Sequence, residues 1–402
     1  MGSWPIFDWT TLLLRWVHVI AGIAWIGSSF YFVALDASLR RNDRLDPGVG
    51  GESWQVHGGG FYRIQKYLVA PSFLPKELTW FMWEAYTTWI FGFALLVVVY
   101  YAQPELYLID RSVADIGAAN AVLIAAISLP IGWLIYDSLC RSALGRDQGR
   151  LAIAGFVLLV AANWGFTHIF GGRGAFMQIG ALVGTIMVAN VFLVIIPNQR
   201  KIVAALIAGQ EPDPALGRQG KQRSLHNNYL TLPVVFLMVS NHYPSISAGP
   251  SNWIVVSGVF VAGFLVRHFF NTRHAGRTPQ WWLLPSAALV GIALMLLTAP
   301  PRGDATPGSS TQAGSAPAFV AVQQIVSTRC QVCHSATPRF EGMASAPKGI
   351  MFDTPRQIAA LAPQIYVQAV QSRAMPLNNL TGITEDERRT LAAWISAGSK
   401  IP

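Results

Sequence analysis

Cys330-Gln331-Val332-Cys333-His334 is the stretch on which the reading of this chain turns. Its pattern, C-x-x-C-H, is that of c-type haem attachment. Two thiols at this spacing reach one porphyrin edge, and the imidazole beside them can ligate the iron. A zinc or redox dithiol would share the first four residues. A zinc site wants a second ligand pair, however, and the remaining cysteine, Cys140, lies far upstream. Outward from the motif, residues 318–329 (AFVAVQQIVSTR) read as a short amphipathic helix leading into it. Met375-Pro376-Leu377-Asn378-Asn379 follows at a distance suited to a second axial ligand. A thioether on the iron raises its potential. Thr384-Glu385-Asp386-Glu387 is a capping box that opens a last helix through Leu391, Trp394 and Ile395. Haem of this type is attached on the outer face of the bacterial inner membrane, so this end of the chain is expected outside.

The rest of the chain has another texture. Charged residues make up 12% of the 402, against roughly 25% in soluble domains. Hydrophobic residues make up 52%, with 14 Trp. The net charge of +9 does not indicate nucleic-acid binding, because the basic residues fall between apolar segments. A membrane-spanning helix needs about 20 mostly apolar residues. Eight segments read as spans: 10–34, 78–102, 114–138, 151–170, 176–197, 229–247, 252–271 and 281–299. The sixth carries Pro233, Asn241, His242 and Pro244, tolerable where neighbours satisfy the freed backbone.

Loop charge sets the orientation. The odd-numbered loops carry Arg40, Arg41, Arg44, Arg63, Lys66 and Lys76, then Arg141, Arg146 and Arg150, then Arg200, Lys201, Arg218, Lys221 and Arg223, then Arg273 and Arg277. The even loops carry only Arg111 and Arg173. The positive-inside rule puts the odd loops in the cytoplasm. Both the N-terminus and residues 318–402 are then periplasmic, as the haem motif independently requires. The first nine residues lack a basic stretch, so no cleaved signal peptide is expected. Residues 300–317, rich in Pro, Gly, Ser and Ala, read as a flexible tether. The expected fold is all-α: an eight-helix transmembrane bundle (1–299), the linker (300–317), and a small haem-binding domain (318–402).

Residues 318–402 resemble a class I cytochrome c domain in motif order and length. Two further stretches carry a wider resemblance. One runs Arg15-Trp16-Val17-His18-Val19-Ile20-Ala21-Gly22-Ile23-Ala24-Trp25-Ile26-Gly27-Ser28-Ser29. The other runs from His57-Gly58-Gly59-Gly60-Phe61-Tyr62 through Lys66-Tyr67, Ala70-Pro71 and Leu74-Pro75 to Trp80-Phe81-Met82-Trp83-Glu84-Ala85-Tyr86. With the C-terminal cytochrome, these resemble the bacterial membrane-bound urate oxidases that carry a fused cytochrome c. The resemblance implies oxidation of urate to 5-hydroxyisourate. Electrons would pass to one covalent haem c and on to a soluble or membrane acceptor of the respiratory chain, without hydrogen peroxide.

Urate is a flat monoanion near neutral pH, so its site wants an anion clamp, a stacking surface and a base. His57 to Lys66 offers such parts: three glycines that let backbone N–H groups approach a ligand, then an expected helix over 61–70 with its positive end. Tyr62, Arg63 and Lys66 fall on that helix, and His57 is the candidate base. A plain turn before an interfacial helix would look the same. Glu84, inside the second span, is a candidate proton relay or the partner of a basic residue. Four histidines lie in or near spans: His18, His168, His242 and His268. Two on facing helices would hold a b-type haem, with His18 the first candidate. His18, Gly22, Trp25 and Ser29 share one helix face. Hydrogen-bonded core histidines are the alternative. Electrons released at the cytoplasmic face would have to cross about 30 Å of hydrocarbon. Either a second cofactor bridges the gap, or urate binds near the outer face, where Arg15, Arg173, Asn163, Thr167 and Asn241 are the polar candidates. A non-catalytic alternative also fits the haem and the spans: a cytochrome subunit relaying electrons from a separate dehydrogenase or from quinol.

Overall fold

The computed structural model describes residues 6–71, 73–247, 249, 251–299, 318–340, 343 and 345–402; the expected tether at 300–317 lies outside them. The described residues are mostly helical. A long helix, α1 (Ile6–Ser38), is followed by a β-hairpin of β1 (Val49–His57) and β2 (Gly60–Tyr67). Then come α2 (Trp83–Tyr101), α3 (Ala118–Arg141), α4 (Gln148–Thr167) and α5 (Gly172–Ile207). The helices α6 (Pro214–Ser240), α7 (Asn252–His274) and α8 (Leu283–Thr298) complete the N-terminal part. The six helices α1 to α5 and α7 are long and apolar enough to cross a membrane, as expected of a multi-pass membrane protein.

The other two expected spans differ in informative ways. α8 is apolar but has 16 residues, roughly 24 Å at 1.5 Å per residue. α6 begins at Pro214 instead of 229. Its first half carries Arg218, Lys221, Arg223, Asn227 and Asn228, which hides it from a hydropathy reading. Three of these side chains are buried and point at partners on other helices. Arg223 pairs with Asp137 of α3 at 2.7 Å. Asn227 accepts from Asn190 of α5 at 3.0 Å. Asn228 accepts from Arg267 of α7 at 3.2 Å. The polar half of α6 is thus an internal seam. Asp137 also receives Arg141 at 2.6 Å, and the Arg223 side chain is only 4% exposed. Asp137→Ala leaves a buried guanidinium without its carboxylate, which typically costs about 3–5 kcal/mol. We expect a marked drop in the thermal midpoint of the detergent-solubilised protein; an unchanged midpoint would show that water satisfies Arg223.

The hairpin corrects an expectation. Residues 61–70 were expected to be helical; Gly60–Tyr67 is instead a strand, paired antiparallel with β1 from Val49↔Tyr67 to His57↔Gly60. Gly58 and Gly59 have φ of +57° and +78°, the left-handed pair that a tight two-residue hairpin turn demands. The glycines therefore serve the turn, and the β-prone run Phe61, Tyr62, Ile64 and Tyr67 continues as a strand. Consequently no helix N-terminus faces a ligand here.

α1 and α2 run antiparallel: Phe32 meets Phe81 at 4.8 Å near the hairpin, and His18 meets Thr88 further along. The hairpin thus caps one end of the bundle, and the end of α2 at Tyr100 and Tyr101 reaches the other. In the C-terminal part, α9 (Phe319–Arg329) leads into the C-x-x-C-H motif. The last helix, α10 (Glu385–Ser396), opens on the expected capping box between Thr384 and Glu387. Their packing is centred on Phe319 and Trp394, with rings 5.8 Å apart.

This C-terminal part touches the bundle at the end opposite the hairpin. Asn378 donates from Nδ2 to the carbonyl of Leu106 at 3.0 Å, in the short helix Pro104–Tyr107 that follows α2. Gly171, just before α5, lies so close that a Cβ there would come within 2.8 Å of Asn378 Oδ1.

Candidate functional site

The C-x-x-C-H residues follow directly on α9. Cys330 is the C-cap of α9 and is half-buried. Burial, and secondarily the neighbouring Cys333, push its thiol up to about 12. Burial raises Cys333 as well. His334 Nδ1 lies 3.0 Å from the carbonyl of Ile350. A carbonyl only accepts, so Nδ1 carries the proton and Nε2 keeps its lone pair, the usual support of a metal-binding imidazole. The ring is held edge-on to Phe352 at 5.4 Å. On the other loop, Met375 is pinned through its backbone: buried Arg388 donates to its carbonyl at 3.0 Å and also to that of Ala369. Two thiols at this spacing, an imidazole with one free nitrogen and a thioether are the groups that a covalently held haem would use. Among the described residues no group of three His, Cys, Asp or Glu converges on one point, so the second ligand pair of a zinc site is not found there.

In the bundle, α1, α2, α5 and α6 surround a cavity of about 390 Å³ with mostly apolar walls. Of the histidines named from the sequence, His18 and His242 line it. His168 is exposed, bonded to the carbonyl of Trp164 at 2.7 Å. His268 bonds the Tyr229 hydroxyl at 2.8 Å. One end of the cavity is polar, with Arg15, Tyr100, Asn241 and His242. Asn241 Oδ1 accepts from the Tyr100 hydroxyl at 3.1 Å and from Arg173 Nε. The Arg173 guanidinium lies 4.9 Å over the ring of Tyr107. Tyr107 is the neighbour of Leu106, which receives Asn378. Among the described residues neither Arg15 nor Arg173 has a carboxylate within ion-pair distance. Two unpaired cations therefore stand at the end of the bundle that carries the Met375 loop.

The other candidates lie elsewhere. His57 and Tyr62 are exposed on the hairpin. Lys66 is paired with Asp36 and Arg63 with Glu52 at 2.5 Å. The Arg63 contact, helped by Trp54 and Asn42, holds the Glu52 carboxyl below its usual range. Glu84 sits in the first turn of α2, with a buried Oε2 that has no hydrogen-bond partner. Among the described residues no hydrogen bond, ion pair or ring contact joins any two of His57, Tyr62, Lys66 and Glu84. The hairpin cations expected as an anion clamp each face a carboxylate, Lys66 towards Asp36 and Arg63 towards Glu52. Of the outer-face candidates, Asn163 ties α4 to the carbonyl of Trp253 at 2.8 Å, and Thr167 bonds its own helix at Trp164; both serve the fold. Arg15, Arg173 and Asn241 do converge. Tyr100 and Tyr107 were missed, because tyrosines at the end of an apolar span look like ordinary interfacial residues.

Residues 5–299 match the family described as urate oxidase, N-terminal. The chain belongs to this family. The match covers the helical bundle and the hairpin and ends before residues 318–402. It places the chain among urate oxidase-related oxidoreductases. No curated protein matches the chain, and no solved structure does.

Proposed function

We propose that this chain oxidises urate to 5-hydroxyisourate in the bacterial inner membrane and delivers the electrons to a c-type haem held by Cys330, Cys333, His334 and Met375. The balance is urate plus water giving 5-hydroxyisourate, two protons and two electrons. Dioxygen is not consumed in this step, so hydrogen peroxide is not formed. A haem at this site supplies a one-electron acceptor, from which electrons pass to the respiratory chain. The observation that carries the reading is the bond from Asn378, three residues beyond Met375, to Leu106, beside the cavity mouth. A substrate at that mouth has its acceptor on the same side of the bilayer, and no electron need cross the hydrocarbon slab.

In this reading Arg173 and Asn241 clamp the urate anion, Tyr100 keeps the Asn241 amide oriented, and His242 takes a proton as electrons leave. The basic odd-numbered loops support a periplasmic N-terminus and C-terminal domain. The deciding test is an anaerobic absorption spectrum of the oxidised protein before and after urate. The c-type bands should sharpen to those of the reduced haem. A haem that stays oxidised with urate yet responds to dithionite would make the chain a relay subunit awaiting another dehydrogenase.

A further inference from the structure

We infer that the cavity between α1, α2, α5 and α6 is a second, non-covalent tetrapyrrole site, with His18 as the axial ligand of a b-type haem. It does not depend on urate being the electron donor.

His18 lines the cavity wall, and its ring is locked. Nδ1 lies 2.8 Å from the carbonyl of Thr88, which can only accept, so the proton sits on Nδ1 and Nε2 is the free donor atom. That is the same support His334 receives from Ile350, and the one metal-binding histidines commonly have. Gly92 makes the seat for the ring: a Cβ there would come within 2.7 Å of His18 Cε1. Any larger residue would displace the imidazole.

The cavity matches the rest of such a ligand. At about 390 Å³ it falls within the roughly 300–1,000 Å³ of cofactor and small-molecule sites, and it is larger than a bicyclic purine fills. Apolar walls suit a flat aromatic macrocycle and do not suit urate, whose edge is all donors and acceptors. Trp89 and Phe93, stacked at 5.1 Å and 11°, line it and offer aromatic surface. Gly184, on the opposite wall, has nothing within 4 Å of the Cβ it lacks. Beyond His18, the charged, amide and imidazole groups of the lining are Arg15, Asn241 and His242, and Arg15 stands one helical turn from His18 on the same face of α1. A haem b joins an apolar ring to two carboxylates on one edge. Arg15 would hold one of these, leaving Arg173 to the substrate. The site would also give a two-electron donor a second one-electron acceptor in the same chain.

The test separates the two haems chemically. Protein from a host that matures c-type cytochromes is extracted with acid acetone, which removes only non-covalent haem. Pyridine haemochrome spectra are then read on extract and residue. A b-type spectrum is expected in the wild-type extract, and a c-type spectrum in the residue. His18→Ala should lose the first and keep the second. Gly184→Leu, which fills the cavity from the other wall and leaves His18 intact, should also lose it. A wild-type extract free of b-type haem, together with no Soret change on titration of that protein with hemin, would overturn the site. So would b-type haem persisting in both variants.

Discussion

His334→Ala should abolish urate turnover linked to the C-terminal haem, a loss of at least about 100-fold, while the membrane part still inserts. Losing even a group that supports a ligand costs 10–100-fold, and this change removes the ligand itself. Cys330 and Cys333 would still carry covalent haem. The packing of Phe319 on Trp394 and the Arg329–Glu387 pair at 3.1 Å lie outside the motif and hold the domain together. The measurements are haem staining of the denatured protein, its level in the membrane fraction, and anaerobic urate oxidation with an artificial acceptor of cytochrome c electrons. Covalent haem retained with activity gone is the expected pair. Full activity in the variant would remove this haem from the electron path.

Arg173→Ala should lower kcat/KM for urate by about 10- to 100-fold. A hydrogen bond to a charged group contributes about 1.5–3 kcal/mol, and each 1.4 kcal/mol is about tenfold. The residue has no carboxylate partner to compete with a bound anion among the described residues. Its contact with Asn241 keeps a second group aimed at the same place. Lys66→Ala is the comparison. Lys66 is already paired with Asp36 across the hairpin, so that change should leave KM for urate unaltered. Steady-state kinetics on both variants, each checked for normal covalent haem content, decide between the two ends of the bundle. A raised KM in Lys66→Ala with an unchanged one in Arg173→Ala would move the site to the hairpin.

Much of this architecture was readable in local pattern. The C-x-x-C-H motif, the helix leading into it and the capping box at Thr384 and Glu387 are short-range features, and the described residues show the helix and the cap where the pattern put them. The helical segments of the N-terminal part were readable too, because apolar runs of that length can hide their backbone polarity only as helices. The polar half of α6 was not. Its Arg223, Asn227 and Asn228 look solvent-facing until Asp137, Asn190 and Arg267 are brought against them. The glycines of residues 58–60 misled for a related reason. Glycine tolerates both a ligand-cradling loop and a hairpin turn, and the pairing of β1 with β2 chose the turn.

By itself the sequence determined the helical class, the C-x-x-C-H motif and its capping box, and the titratable and cationic residues that could serve a site. Each follows from hydropathy, spacing or side-chain chemistry within a few turns of chain. Only the tertiary structure shows which of them come together. Arg15, Tyr100 and Asn241, from different elements, line one end of the cavity, and Arg173 bonds Asn241; among the described residues no such contact joins His57, Tyr62, Lys66 and Glu84. Contacts between helices far apart in the chain leave no periodic trace in either one. The same holds for the pairing that makes Lys66 an occupied cation and leaves Arg173 a free one among the described residues. Charge alone does not distinguish them; the presence of a carboxylate within reach does.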